Sequence, residues 1–408
     1  MDALGVAGLV RDVGQATYEM HPLLTSYLRS RGDAAEPCQR AFVDVMGRLA
    51  DDLALRRLHE QRGPFLVHGA NFHSAVALAE RLSAEPAFPA IAQCLAAYVQ
   101  NARNFEEASR LFARLAGDDA ARGDSEGQAA GYHQLAMIAQ EQRDFDGARD
   151  WYLRSLAISE GQGIEQVAAK TYHQLGRIAE EQRDFATARE WCLKSLAIKE
   201  KQGDPHGAAT TYHQLGAVAQ EERDFAAARD WYLKSLALEQ KHGDLHGAAT
   251  TYHQLGRVAA DEGDLAAARG WYLKSIAISE DLGDAQLAAG AYHQLAIVAQ
   301  GQQDPAAARD WYLKSLAVWE KQGDLHRAAS TYAQLGILAG LQGSFEDSGK
   351  WLARSIAGHL ETHDERRAER DTRNFLMSYR RASPEDKQKL EAIWRDANLG
   401  PFPTEPNQ

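Results

Sequence analysis

The sequence predicts an all-α fold, a right-handed superhelical α-solenoid of stacked antiparallel helix hairpins, and two observations predict it. The first is self-similarity: Tyr132-His133-Gln134-Leu135 returns from Tyr172, Tyr212, Tyr252 and Tyr292 and ends as Tyr332-Ala333-Gln334-Leu335, each time 40 residues on. The second is another word with the same step. Trp151, Trp191, Trp231, Trp271, Trp311 and Trp351 each open a segment such as Trp231-Tyr232-Leu233-Lys234-Ser235, so six of the eight tryptophans fall on one grid. Upstream, Asn104-Phe105, Ala108 and Phe112 lie one step before Asp144-Phe145, Ala148 and Tyr152, which makes seven units over residues 81–360. A fixed period of this length marks a stack of small units, none of which buries its apolar face alone.

Each unit reads as two helices. In the third, Asp204 is placed to cap a helix whose apolar residues Ala208, Tyr212, Leu215 and Ala219 recur at three and four, and Asp224 to cap a second with Phe225, Ala228, Tyr232 and Leu236. Gly243 suits the left-handed residue after that second helix, with Lys241 and His242 near the negative end of its dipole, and Asp244 opens the next unit. The ends follow other grammars. In residues 1–32, Leu4 to Val10 reads as the end of a helix, Arg11 to Tyr18 as a short polar β-wing and Pro22 to Arg29 as a helix start; residues 33–80 read as a helical connector. Residues 361–400 are expected to be capping helices, with Ser383-Pro384-Glu385 starting one before Lys387 to Ala397, and residues 401–408 a disordered tail.

The composition narrows the function. The 408 residues carry a net charge of −12, which disfavours a nucleic-acid partner, because affinity for phosphate backbones rests on clustered Lys and Arg. Cys38, Cys94 and Cys192 stand far apart with no CxxC pair, so neither a disulfide framework nor a zinc module is written, and a reducing cytoplasm fits. Asp2, Arg11, Asp12 and Glu19 interrupt the first thirty residues, against a signal peptide, and no apolar run reaches the roughly 18 residues a membrane span needs. Catalysis finds no foothold: HExxH, GxSxG and dinucleotide-binding glycine motifs are all missing, and no cofactor is implied. The chain is not expected to be an enzyme.

In the third unit, Tyr212, Leu215, Gly216, Ala228, Tyr232 and Leu236 fall at the signature spacings of the tetratricopeptide repeats (TPRs), and the chain resembles that family. The unit is 40 residues rather than the usual 34 and lacks the usual proline between units, which is similar to the longer repeats of kinesin light chains and of bacterial signal-transducing NTPases. Cys192 replaces an aromatic residue, and Ala136 and Ala296 replace the signature glycine. At the other end, Tyr18-Glu19-Met20-His21-Pro22-Leu23-Leu24 resembles the winged-helix end of the STAND NTPases, which include NB-ARC and NACHT types. That resemblance implies a winged-helix-like remnant over residues 1–32 and a nucleotide-sensing role for His21 in a longer protein. No GxxxxGK[ST] phosphate loop occurs, so on this reading the chain is the sensor half of a switch, with an NTPase domain attached elsewhere.

The Tyr, Leu, Ala and Trp of the grid are consumed by packing, so chemistry is sought at the outward positions of the first helices, which in TPR proteins usually line the concave groove. These carry His133, His173, His213, His253 and His293, with Gln134, Gln174, Gln214, Gln254 and Gln294 beside them. Arg177 and Arg257 follow one turn on, then Glu141, Glu180, Glu181, Glu221 and Asp261. Three uses of the histidine ladder stay open. Metal binding needs imidazoles about 2 Å from one ion, whereas packed helices stand roughly 8–10 Å apart, so no metal site is expected. Ligand contact suits a ring that donates, accepts and stacks. Bonding between neighbouring units, copied along by duplication, produces the same regularity. A second ladder, Arg154, Lys194, Lys234, Lys274, Lys314 and Arg354, has an acid four residues earlier in four units and reads as a solvated convex face of helical ion pairs. His206, His246 and His326 read as surface residues without partners.

These features predict a recognition module that binds a protein or peptide in its groove, as the sensor part of a bacterial STAND-type signalling or defence NTPase. The alternative is an independent adaptor that holds two protein partners together. A peptide-sensing transcription regulator is disfavoured by the acidic charge and by the lack of a complete DNA-binding domain. Self-association through the apolar faces of the end units is compatible with the pattern.

Overall fold

The computed structural model describes residues 10–14, 17–20, 35–56, 58–82 and 87–403. Strands β1 (Val10–Gly14) and β2 (Thr17–Met20) pair antiparallel, Val10 opposite Met20, where the sequence predicts a wing. The helical segments expected on either side of them, and His21, lie outside the described residues. All other regular structure among the described residues is helical, and none of those helices is long and apolar enough to cross a membrane.

The chain divides into two compact units, residues 1–178 and 179–408. In the first, α1 (Ala35–Ala54), α2 (Leu58–Arg81) and α3 (Phe88–Asn101) enclose Leu53, Phe65, Phe72 and Ile91, and Phe65 stacks on Phe72 at 4.8 Å and on Tyr98 at 3.8 Å. Hairpin packing continues through α4 (Phe105–Arg122), α5 (Ser125–Glu141) and α6 (Phe145–Gly161), and the division falls within α7 (Glu165–Glu181). The second unit holds α8 (Phe185–Gln202), then the hairpins α9 (Pro205–Glu221) with α10 (Phe225–His242), α11 (Leu245–Asp261) with α12 (Leu265–Leu282), α13 (Ala285–Gly301) with α14 (Pro305–Gln322), and α15 (Leu325–Leu341) with α16 (Phe345–Glu361). It closes with α17 (Glu365–Arg381) and α18 (Pro384–Asp396). Within each unit consecutive helices pack on one another, the architecture of an all-α solenoid.

One device sets the cadence. Gly203 turns left-handed at φ 64°, its N–H and that of Asp204 close on the carbonyls of Glu200 and Lys199, and Asp204 Oδ1 then accepts the Gly207 N–H at 2.9 Å to start α9. Gly243-Asp244 and Gly283-Asp284 repeat it between later hairpins. Within the hairpins after α4 the left-handed residue is Arg143, Arg183 or Arg223 in three cases, Gly263 or Gly343 in two and Gln303 in one.

The hairpins close where small residues admit large ones. A Cβ on Gly216 would stand 2.8 Å from the ring of the fully buried Tyr232, and one on Gly256 2.7 Å from Tyr272. Ser235 Oγ donates to the Ala209 carbonyl at 2.8 Å, and Ser275, Ser315 and Ser355 repeat the tie to Ala249, Ala289 and Ala329. Tyr212 stacks on Trp231 at 5.7 Å. The basic ladder departs from its expected pairing: Lys234 stands over the Trp231 ring at 4.2 Å and Lys314 over Trp311 at 4.3 Å, and neither pairs with Asp230 or Asp310. An aromatic face one turn away holds the ammonium without requiring a second flexible side chain to be ordered.

The C-terminal helices close the second unit with an aromatic cluster. Trp394 meets Phe375 edge-on at 5.1 Å, and Phe402 packs on Tyr379 at 4.9 Å and on Trp394 at 5.8 Å. Phe402, expected in a disordered tail from residue 401, has a core to enter instead; residues 404–408 lie outside the described residues.

Candidate functional site

The predicted site residues sit on the first helices of the hairpins, and the junction to the next hairpin shapes each of them. In the second unit, His213 on α9 points its Nδ1 at Thr251 Oγ1 on α11, 3.1 Å away, and its ring meets Tyr232 edge-on at 5.0 Å. His293 does the same with Thr331 at 3.2 Å and Tyr312 at 5.2 Å. His253 keeps the ring contact, with Tyr272 at 5.4 Å, but Ala291 stands where the threonine would be. In the first unit His133 bonds to Thr171 at 3.0 Å and meets Tyr152, and His173 is half-buried on α7. Burial lowers His213, His253 and His293, and His133 in the first unit, to about 4, so these rings are neutral near pH 7. His133, His213 and His293 are therefore partly joints between hairpins. Nε2 of His213, His253 and His293 has no hydrogen-bond partner among the described residues.

The polar residues beside the ladder divide by burial. Gln254 accepts from the exposed Arg257 at 3.1 Å, and in the first unit Gln174 accepts from Arg177 at 3.4 Å. Gln214 is only 7% exposed, and its Oε1 has no partner among the described residues. Gln220 donates to Asp261 at 3.0 Å, which ties the acidic end of α11 to α9. The expected lone surface histidines have partners: His206 faces Asp244 at 3.5 Å and His246 faces Asp284 at 3.4 Å, from one hairpin start to the next, while His326 meets Arg367 and the His359 ring.

Sequence reasoning missed a buried polar layer at the junctions. Thr251 and Ser235 both bond to the buried Glu239, at 3.0 Å and 2.8 Å. Lys199 donates to Thr211 at 2.8 Å. Ser355 and His359 both bond to Asp371, fully buried, with Arg370 on its other oxygen. The signal was present, since Ser recurs four residues after each grid tryptophan and Thr stands just before most grid tyrosines.

Matches to known families follow this geometry closely. The tetratricopeptide repeat model matches residues 166–241, 207–281 and 287–361, a second tetratricopeptide repeat model matches 129–160, and together they cover more than half of the chain. The chain belongs to the tetratricopeptide repeat family. Among solved structures, this TPR chain superposes on a STAND ATPase with a tetratricopeptide repeat sensor from Pyrococcus horikoshii, with TM-score 0.66 and 15% identity, over 98% of this chain and 58% of that one. The TPR chain thus spans less than two thirds of that ATPase. It is also similar to BtubC from P. vanneervenii (TM-score 0.49, 17% identity, 54% of this chain and 92% of that one). Kinesin-light-chain repeats from Podosopora anserina give TM-score 0.43 at 17% identity, over 48% of this chain and 96% of that one. At 15% identity the likeness to the ATPase is one of fold. No curated protein sequence matches the chain.

Proposed function

We propose that this TPR protein is a binding module whose first-helix face recognises an extended peptide or a loop of a protein partner. The observation that carries the reading lies in the second unit: His213, His253 and His293 recur at a fixed step with Nε2 uncommitted, next to Gln214 and Gln254 and the exposed guanidinium of Arg257. A row of neutral imidazoles and amides suits a partner's main-chain groups, which repeat along an extended strand as both donors and acceptors. In the first unit His133, His173, Gln174 and Arg177 offer the same chemistry on α5 and α7. The fold likeness to a STAND protein with a TPR sensor supports a finer reading, in which ligand binding favours one arrangement of the hairpins and biases an attached nucleotide switch through that preference. His21 would sense the nucleotide there. The longer-than-usual unit, which resembles the repeats of kinesin light chains, supports the second reading, a cytoplasmic adaptor holding protein partners together.

A pull-down with partners identified by mass spectrometry tests the face. The intact chain captures a specific partner; the triple variant with His213, His253 and His293 as alanine loses it, and so does the surface pair Gln254→Ala with Arg257→Ala, which leaves the junctions intact. Retention of the same partner by both variants, each shown folded by circular dichroism, would eliminate this face as the contact surface.

A further inference from the structure

A cavity of about 670 Å³ opens in the second unit between the end of α8, the start of α9 and the outer side of α10. Pro205, Ala208, Tyr212 and Leu238 give it apolar walls. Its lysines, Lys199, Lys234 and Lys241, outnumber its carboxylates, Glu200 and Asp204. Both carboxylates are engaged, Glu200 by the Tyr212 hydroxyl and Asp204 by the Gly207 N–H. Lys234 is held over the rings of Trp231 and Tyr212.

Lys199 is different. It is 7% exposed, yet its ammonium makes a single hydrogen bond, to the neutral Thr211 hydroxyl, and among the described residues no carboxylate is within ion-pair distance. An ammonium has three donors, and burying it is costly unless an anion accompanies it. Burial accordingly holds Lys199 below the usual lysine range, outweighing Asp204, which favours the ammonium but lies beyond ion-pair distance and is engaged as the cap of α9. Duplication does not explain the residue, since the equivalent positions carry Ser159, Glu239, Ser279, Trp319 and His359. Lys241 at the exposed mouth also makes no hydrogen bond or ion pair among the described residues.

We propose that this cavity binds a small amphipathic monoanion, a medium-chain carboxylate whose head pairs with Lys199 and Lys241 and whose chain lies along Tyr212 and Leu238. The excess of one ammonium over the carboxylates of the lining sets the ligand charge, and the apolar walls set the tail. The site uses none of the residues of the His213 face, so the two proposals stand or fall separately.

Octanoate and its uncharged analogue octanamide are the probes, titrated into the full chain by calorimetry. Octanoate binds saturably at one site, and octanamide binds at least about tenfold more weakly, the loss expected when one buried charge pair is not formed. Lys199→Met weakens octanoate by a similar factor while the chain melts no earlier. Ala237→Trp, on the exposed rim, also weakens octanoate by filling the mouth without touching Lys199. Absence of octanoate binding, equal binding of octanamide, or unchanged octanoate affinity in both variants overturns the proposal.

Discussion

His213 shows how one side chain serves two levels of the structure. Its place on α9 follows from the helical period, but its partner Thr251 is 38 residues away, a relation created by stacking rather than by any local spacing. That is why the sequence displayed the ladder and left its use undecided between ligand contact and inter-unit bonding: the Thr column was visible, the register between hairpins was not. The geometry makes the rings titrate abnormally. With the folded value near 4 and the unfolded value near 6.5, the unfolded chain takes up protons that the fold refuses, so stability is complete above pH 6.5 and is lost as pH falls through that window toward 4. Each ring accounts for up to about 3 kcal/mol at the low end. Urea midpoints at pH 7 and pH 4.5 measure this: His213→Gln, which cannot take up the proton in either state, should lose roughly 2–3 kcal/mol less between the two than the parent. Equal losses in both proteins would mean that the buried ring does not drive the acid sensitivity.

Among the elements, the helix starts were the most legible part of the fold. Asp204, Asp224 and Asp244 are named as caps by composition and spacing, and each accepts the expected backbone N–H. The residue before the cap was only half legible. Gly243 announces a left-handed turn, whereas Arg223, at φ 63° in the corresponding place inside its hairpin, does not, because the conformation is imposed by the helices on either side. The basic ladder was misjudged for a related reason, since a helical ion pair and a ring contact share nearly the same spacing and only packing decides between them. Left-handed backbone costs an arginine about 1–2 kcal/mol that glycine does not incur, offset in part by the greater freedom of glycine when unfolded. Arg223→Gly should therefore raise stability by about 0.5–1 kcal/mol, and Gly263→Arg should lower it by a similar amount. Denaturant titration of the two variants checks the pair of signs; a loss on Arg223→Gly would show that its guanidinium, 5.8 Å from the Phe225 ring, outweighs the strain.

For the molecule as a whole, the period implies that a hairpin is removable as a block. Each hairpin touches chiefly its neighbours, so excision of one 40-residue step leaves the register of the rest intact and costs roughly one interface. The junctions are not equivalent, however, because the buried polar layer changes from one to the next. Excision of residues 285–324 sets Ser275 and Ser279 against Thr331 in place of Ala291, and Asp284 against Arg327 as the new helix start, all compatible with the contacts seen elsewhere in the second unit. Excision of residues 245–284 sets Glu239 against Ala291, so a buried carboxylate whose Oε2 already lacks a partner among the described residues loses the Thr251 hydroxyl as well. That leaves Ser235 as the one donor to the buried carboxylate, and losing a hydrogen bond to a charged group costs about 1–3 kcal/mol, whereas the two shortened chains are otherwise alike in length and helix number. Both should fold with the parent's helicity per residue, and the chain lacking 245–284 should unfold at the lower urea concentration, with Glu239→Gln in that background narrowing the gap. Equal midpoints would show that the solenoid tolerates any polar layer at its junctions and that Thr251, Ser235 and Glu239 do not set the order of the hairpins.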